Sequence, residues 1–292
     1  MKIGITGASG QLGTALVRYA LARVPAADIV AITRNPGKLE QFSQQGVQVR
    51  AGDFAKPEEL AAALQGVERL VIIPTGDLAP GVRAPRHVAA IQAAVNSGVQ
   101  HAIYISTVSP RPDPDNSLFD SHWATEQALI ASGLGWTILR MSVYTDTLLD
   151  AAKRAVASGT YAAVPGAPAA YVTRDDIAAT AAGILSTPGH AGITYHATGP
   201  VSVTQEELAE AMAKASGKPV AFSKMTAEQQ RAGLEAAGLP PFVVSMIAGF
   251  QAALRAGAFD LVTGDVARLA GRPAVSPAQF LSRAFAAAAH AS

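Results

Sequence analysis

Short apolar runs alternate with amphipathic stretches along the first half of the chain, and the alternation predicts six strand-then-helix units. The runs at 2–6, 29–33, 47–51, 70–73, 101–106 and 136–140 read as strands, most of them continuously apolar, as strands buried on both faces of a parallel sheet are. Between the first two, Leu12, Leu16, Val17, Ala20, Leu21 and Val24 recur at helical spacing until Pro25 stops them. Pro57 opens a further helix, with Glu58 and Glu59 suited to its positive end. Helices over 85–97 and 120–132 are closed by Gly98 and Gly133, and 110–118 reads as a polar loop. The pattern predicts an α/β fold with a doubly wound parallel sheet.

Beyond about residue 145 the regularity weakens. A helix over 148–157 leads through a Gly/Pro/Ala loop to Tyr171-Val172, a helix opens near Asp175-Asp176, and Ile193–Ala197 reads as one more strand. Thr204 with Glu207, and Thr226 with Gln229, spell two capping boxes, whose helices end at Gly217 and Gly238. Pro240-Pro241 and Ser276-Pro277 open two more helices, and the alanine-rich tail from Ala284 extends the last. The expected organisation is a domain over 1–145 and a smaller, mostly helical lobe over 146–292, interleaved with the sheet.

The first strand runs into Gly7, Gly10 and Gly13, a Gly-x-x-Gly-x-x-Gly turn that opens a helix. Gly7 allows the tight exit, Gly10 removes the Cβ that would keep a pyrophosphate away, and Gly13 allows close helix packing. This marks a Rossmann-type dinucleotide turn, with the pyrophosphate on Gly7, Ser9, Gly10, Gln11 and Leu12 at a helix N-terminus. The second strand ends in Thr33-Arg34, with Lys38 one turn on and no acid, which suits the 2′-phosphate of NADP. Asp53 and Phe54 are candidates for the adenine. Ile73, Pro74, Thr75, Ser106 and Thr107, at the carboxyl ends of two strands, are candidates for the ribose and nicotinamide.

Composition narrows the function. Hydrophobic residues make up 49% and charged residues 15% of 292, enough for a large core. The net charge of +1 is spread without blocks, so neither nucleic acid nor a membrane surface is the expected partner. No cysteine is present, which excludes disulfides and thiolate catalysis, and six scattered histidines give no metal cluster. With no leader pattern and no spanning run, a cytoplasmic protein is expected, a monomer or homodimer acting on a small molecule.

The segments 6–13, 32–36 (Ile-Thr-Arg-Asn-Pro), Gly52-Asp53-Phe54 and Ser121-His122-Trp123-Ala124-Thr125-Glu126 resemble the NmrA-like atypical short-chain dehydrogenases. Within that family the likeness is to the branch of NAD(P)H:quinone oxidoreductases and triphenylmethane reductase, and it covers essentially the whole chain, Gly271-Arg272-Pro273 included. The resemblance implies an NADPH-dependent oxidoreductase. It also aligns His122-x-x-x-Glu126 with the Tyr-x-x-x-Lys of ordinary short-chain dehydrogenases, so the usual proton donor is absent. Hydride delivered to a ketone yields an alkoxide, whose conjugate acid has a pKa of about 15.7; delivered to a quinone it yields a phenolate of about 10. The difference is about 8 kcal/mol less charge to stabilise, which points to a quinone or other conjugated aromatic acceptor.

On this reading His122 and Tyr144 are the catalytic candidates, His122 as hydrogen-bond donor to the developing phenolate or else as a structural residue. Glu126 orients its ring or faces solvent. Trp123, Met141, Val143 and Tyr144 are assigned to the substrate side, where the quinone-reductase pattern has Asn and Trp in place of Met141 and Val143. Two alternatives stay open: a tailoring reductase or oxygenase acting on an aromatic polyketide quinone, and a non-catalytic NADP(H)-binding redox sensor that regulates a protein partner.

Overall fold

A computed structural model of the chain describes residues 1–113 and 117–291; positions 114–116 of the expected polar loop lie outside the described residues. In chain order the elements are β1 (Ile3–Ile5), α1 (Gln11–Leu21), β2 (Ile29–Thr33), α2 (Glu40–Ser43), β3 (Gln48–Ala51), α3 (Pro57–Ala63), β4 (Arg69–Ile72), α4 (Arg83–Asn96), β5 (His101–Thr107), α5 (Ser117–Ile130) and β6 (Gly135–Met141). There follow α6 (Leu148–Ser158), β7 (Thr160–Ala163), α7 (Arg174–Ser186), β8 (Ile193–Ala197), α8 (Gln205–Ser216), β9 (Ala221–Lys224), α9 (Ala227–Ala236), α10 (Pro241–Arg255), α11 (Asp265–Ala270) and α12 (Pro277–Ala291).

Seven strands form one parallel sheet in the order β3-β2-β1-β4-β5-β6-β8. The order reverses between β1 and β4, the switch point at which a doubly wound sheet opens a crevice beyond its strand ends. The chain divides into two compact units. One comprises 1–141, 174–197 and 265–272, and the other comprises 142–173, 198–264 and 273–292.

The first unit holds the sheet. Its β2 is buried along its whole length, as the continuous apolar run requires, and Val30, Ile32, Leu60, Leu64, Ile72, Tyr104 and Ile138 belong to one core cluster. Arg69, at the start of β4, is buried because its guanidinium donates to the carbonyls of Ile184 (2.9 Å) and Thr187 (2.7 Å) at the end of α7. Arg272 closes the unit: it donates to Asp176 (2.5 Å), Asp175 (2.7 Å) and the Tyr19 hydroxyl (3.0 Å), joining the segment after α11 to α7 and α1.

The second unit is mostly helical. Both expected capping boxes form in full, Thr204 with Glu207 and Thr226 with Gln229. The last helix begins with the same reciprocal pair between Ser276 and Gln279. The structure adds a two-stranded parallel ribbon, β7 with β9, where only loop and helix were expected. Four residues each, with no strand residue fully buried, these strands carry too little apolar alternation to read from sequence.

Candidate functional site

The turn after β1 is fixed from both sides. The Thr6 hydroxyl donates to the Val71 carbonyl (3.2 Å) and accepts the Ile73 N–H (3.0 Å), while the Ala8 N–H reaches the Ile32 carbonyl (3.1 Å). Gly7 takes a φ of +62°, which L side chains rarely adopt. A Cβ on Gly13 would lie 2.2 Å from the Gly7 carbonyl oxygen, so α1 approaches its own turn as closely as only glycine permits. At its N-terminus α1 has neither a side-chain cap nor an acidic residue in the first turn, the arrangement that suits an anion at a helix start.

A cleft of about 360 Å³ opens from this turn. It is lined by Gly7, Ser9 and Gly10 of the turn, by Thr33, Arg34 and Lys38 at and after the end of β2, by Gly52, Asp53 and Phe54 after β3, and by residues 73–76, the wall that follows β4. Two of the lining residues, Ser9 and Thr33, are bonded to each other through their hydroxyls at 2.7 Å. Arg34 and Lys38 are exposed, and neither forms a salt bridge among the described residues. Their positive charge, the uncapped helix and the glycine cradle together fit a dinucleotide that ends in a phosphorylated ribose. One oxygen of Asp53 accepts the Ala55 N–H at 3.0 Å, so the residue also forms the turn.

Other sequence candidates stand apart from this cleft. Gln11 and Leu12 begin α1 without lining it. Ser106 and Thr107 are buried, and the Ser106 hydroxyl donates to Glu126 at 2.5 Å. Glu126 neither faces solvent nor is bonded to the His122 ring as expected. It is 1% exposed, and its carboxylate is held by Arg140 through Nε (3.0 Å) and Nη2 (2.6 Å), from the strand packed against it. His122 is also 1% exposed: Nδ1 lies 2.9 Å from the Tyr104 hydroxyl and Nε2 3.3 Å from Arg83. Burial, reinforced by Arg83 and His87, holds its pKa well below the ordinary histidine range. The ring is neutral and sits in an interior network, with no face toward the cleft.

Trp123 is partly exposed on α5 and Met141 ends β6, while Val143 and Tyr144 open the second unit, where Tyr144 bridges to Val172. Sequence reasoning missed His87, Asp77 and Arg86. Asp77 accepts from the Thr75 hydroxyl (2.8 Å) and pairs with Arg86. The Thr75 hydroxyl, then the charges of Arg86 and Arg34, hold its carboxyl below the usual range. The available signal was the Arg83-x-x-Arg86-His87 cluster at the start of α4.

A family described as NAD(P)H-binding matches residues 7–188. Quinone oxidoreductase 2 of Escherichia coli K12 is 36% identical over 97% of this chain and 98% of its own length. The crystal structure of an NADPH-dependent quinone oxidoreductase from Escherichia coli, complexed with NADPH, superposes with a TM-score of 0.89 at 35% identity, covering 97% and 99% of the two chains. The triphenylmethane reductase of Citrobacter sp., complexed with NADP(H), gives 0.87 at 30% identity over 97% and 99%. Glycine turn, sheet order and relatives agree: the chain belongs to the NAD(P)H-binding family, in its NmrA-like branch.

Proposed function

We propose that this protein is an NADPH-dependent oxidoreductase that reduces quinones or other conjugated aromatic acceptors. The observation that carries the reading is at α5. The positions aligned with the usual Tyr-x-x-x-Lys pair hold His122 and Glu126, and both are buried and bonded to neighbouring side chains. No free acid stands there to protonate an alkoxide, whereas a phenolate needs none. The likeness to a quinone oxidoreductase over nearly the full length supports the same acceptor class.

In this reading the turn's N–H groups hold the pyrophosphate, Arg34 and Lys38 the 2′-phosphate, and Asp53 with Phe54 the adenine. Bound there, NADPH supplies the hydride. Residues 73–75, with Ser106 and Thr107 on the neighbouring strand, orient the ribose and nicotinamide, while within this unit Trp123 and Met141 are assigned to the acceptor. The protein's contribution is chiefly positioning.

The test is anaerobic oxidation of NADPH against benzo-, naphtho- and anthraquinones, with NADH in parallel and Arg34→Ala as the comparison variant. Turnover that prefers NADPH, with a KM for NADPH raised about tenfold in the variant and that for NADH unchanged, supports the reading. Tight NADPH binding without turnover on any acceptor overturns it and favours a sensor.

A further inference from the structure

Behind the dinucleotide cleft stands a side chain that the glycine turn does not account for. His87, on α4, is fully enclosed. Its Nε2 accepts the backbone N–H of Thr75 at 3.0 Å, and Thr75 belongs to the cleft wall. The ring also meets Phe54, another residue that lines the cleft, edge-on with centroids 6.2 Å apart. At its other end Nδ1 lies 3.0 Å from the Thr125 hydroxyl, which donates to the Ser121 carbonyl at 2.6 Å.

A neutral imidazole carries one donor and one acceptor nitrogen. Because Nε2 accepts from an amide, the proton is on Nδ1; Thr125, whose own proton goes to Ser121, accepts it. Burial, with the Arg83 charge adding to it, pushes the pKa of His87 down to about 3, so the ring stays neutral under working conditions. The result is a chain of bonds with one direction, from the wall of the cleft through α4 into α5. Thr75 is held a second time through its hydroxyl, by way of Asp77 and Arg86. Two adjacent residues of α4 therefore tether the segment after β4.

An amide that lets go of its acceptor must find another, so the bond from half-buried Thr75 to enclosed His87 ties this wall to α4. We infer that His87 is a positioning residue for the dinucleotide: by accepting the Thr75 amide it fixes the 74–75 wall of the cleft in its binding-ready conformation. The inference rests on cofactor binding alone and is independent of which acceptor is reduced.

Three readouts on the whole protein test it: NADPH affinity by fluorescence titration, amide hydrogen exchange across residues 70–80, and thermal melting. In His87→Leu the Thr75 amide is expected to lose protection and the NADPH dissociation constant to rise about tenfold, with kcat changed less than KM. His87→Gln, whose side-chain oxygen can accept the amide while its nitrogen donates to Thr125, is expected to restore most of both. Equal loss in the two variants, or unchanged Thr75 exchange in His87→Leu, overturns the inference and leaves His87 a packing residue. Should the leucine variant fail to fold, Thr125→Val combined with Tyr104→Phe decides, because together they remove both hydroxyls within reach of His87 Nδ1, at 3.0 and 3.4 Å, that fix its proton. Faster Thr75 exchange with NADPH affinity lowered about threefold supports the inference, and unchanged exchange overturns it.

Discussion

The β1–α1 turn and the interior around α5 lie in the same unit but are made of different materials. At the turn, backbone does the work: Gly7 at positive φ, Gly13 pressed against a carbonyl, and uncapped N–H groups at a helix start. Around α5, ionisable side chains do it: Glu126 is held by Arg140 and Ser106, and His122 by Tyr104 and Arg83. The first arrangement leaves donors free for a ligand, and the second uses up its donors and acceptors internally. A cleft that binds an anion needs the first kind of material, and an interior that holds buried charge needs the second.

Acidification separates the two most strongly. His87 and His122 are neutral when folded, but once unfolded they take up protons below about pH 6.5, so the unfolded state binds more protons as pH falls. Their contribution to stability is complete above about pH 6.5 and declines below it, for His87 by about 2 kcal/mol at pH ~5. Urea melts across this range should show the loss, and His87→Gln should flatten part of it. Parallel curves for the two proteins would break this account of the interior.

The next effect is at the ion pair. Glu126→Gln leaves Arg140 without its counter-charge and is expected to cost about 3 kcal/mol in denaturant unfolding, with NADPH affinity nearly unchanged. Gly13→Ala should do the reverse. Its methyl group must displace the Gly7 carbonyl, so NADPH binding is expected to weaken about a hundredfold while stability falls by about 1–2 kcal/mol. If both substitutions weakened binding and stability in the same proportion, the distinction between the two regions would not stand.

That distinction also decides what could be read from the sequence. Glycine has only backbone uses, so its spacing after an apolar strand exposed the turn, and Arg34 followed from its place at the end of β2. Continuous apolar runs gave the central strands, Ile193–Ala197 gave β8, and Thr-x-x-Glu and Thr-x-x-Gln gave two helix starts with their bonds. The interior was not legible in the same way. Glu126 finds its partner 14 residues away on a different element, and His87 on a strand-end loop. A buried polar residue on a helix has the same local pattern as an exposed one. Only the fold brings its partner near.

Arg272 sets a timetable for the chain. Its bond to Tyr19 spans 253 positions, and β8 enters the sheet only after residue 193. The glycine turn is made well before β8 and Arg272, yet the unit that holds it closes only when they arrive. Early strands therefore wait with β6 exposed as an open edge, and long-range closure of this kind slows folding and favours assistance from chaperones.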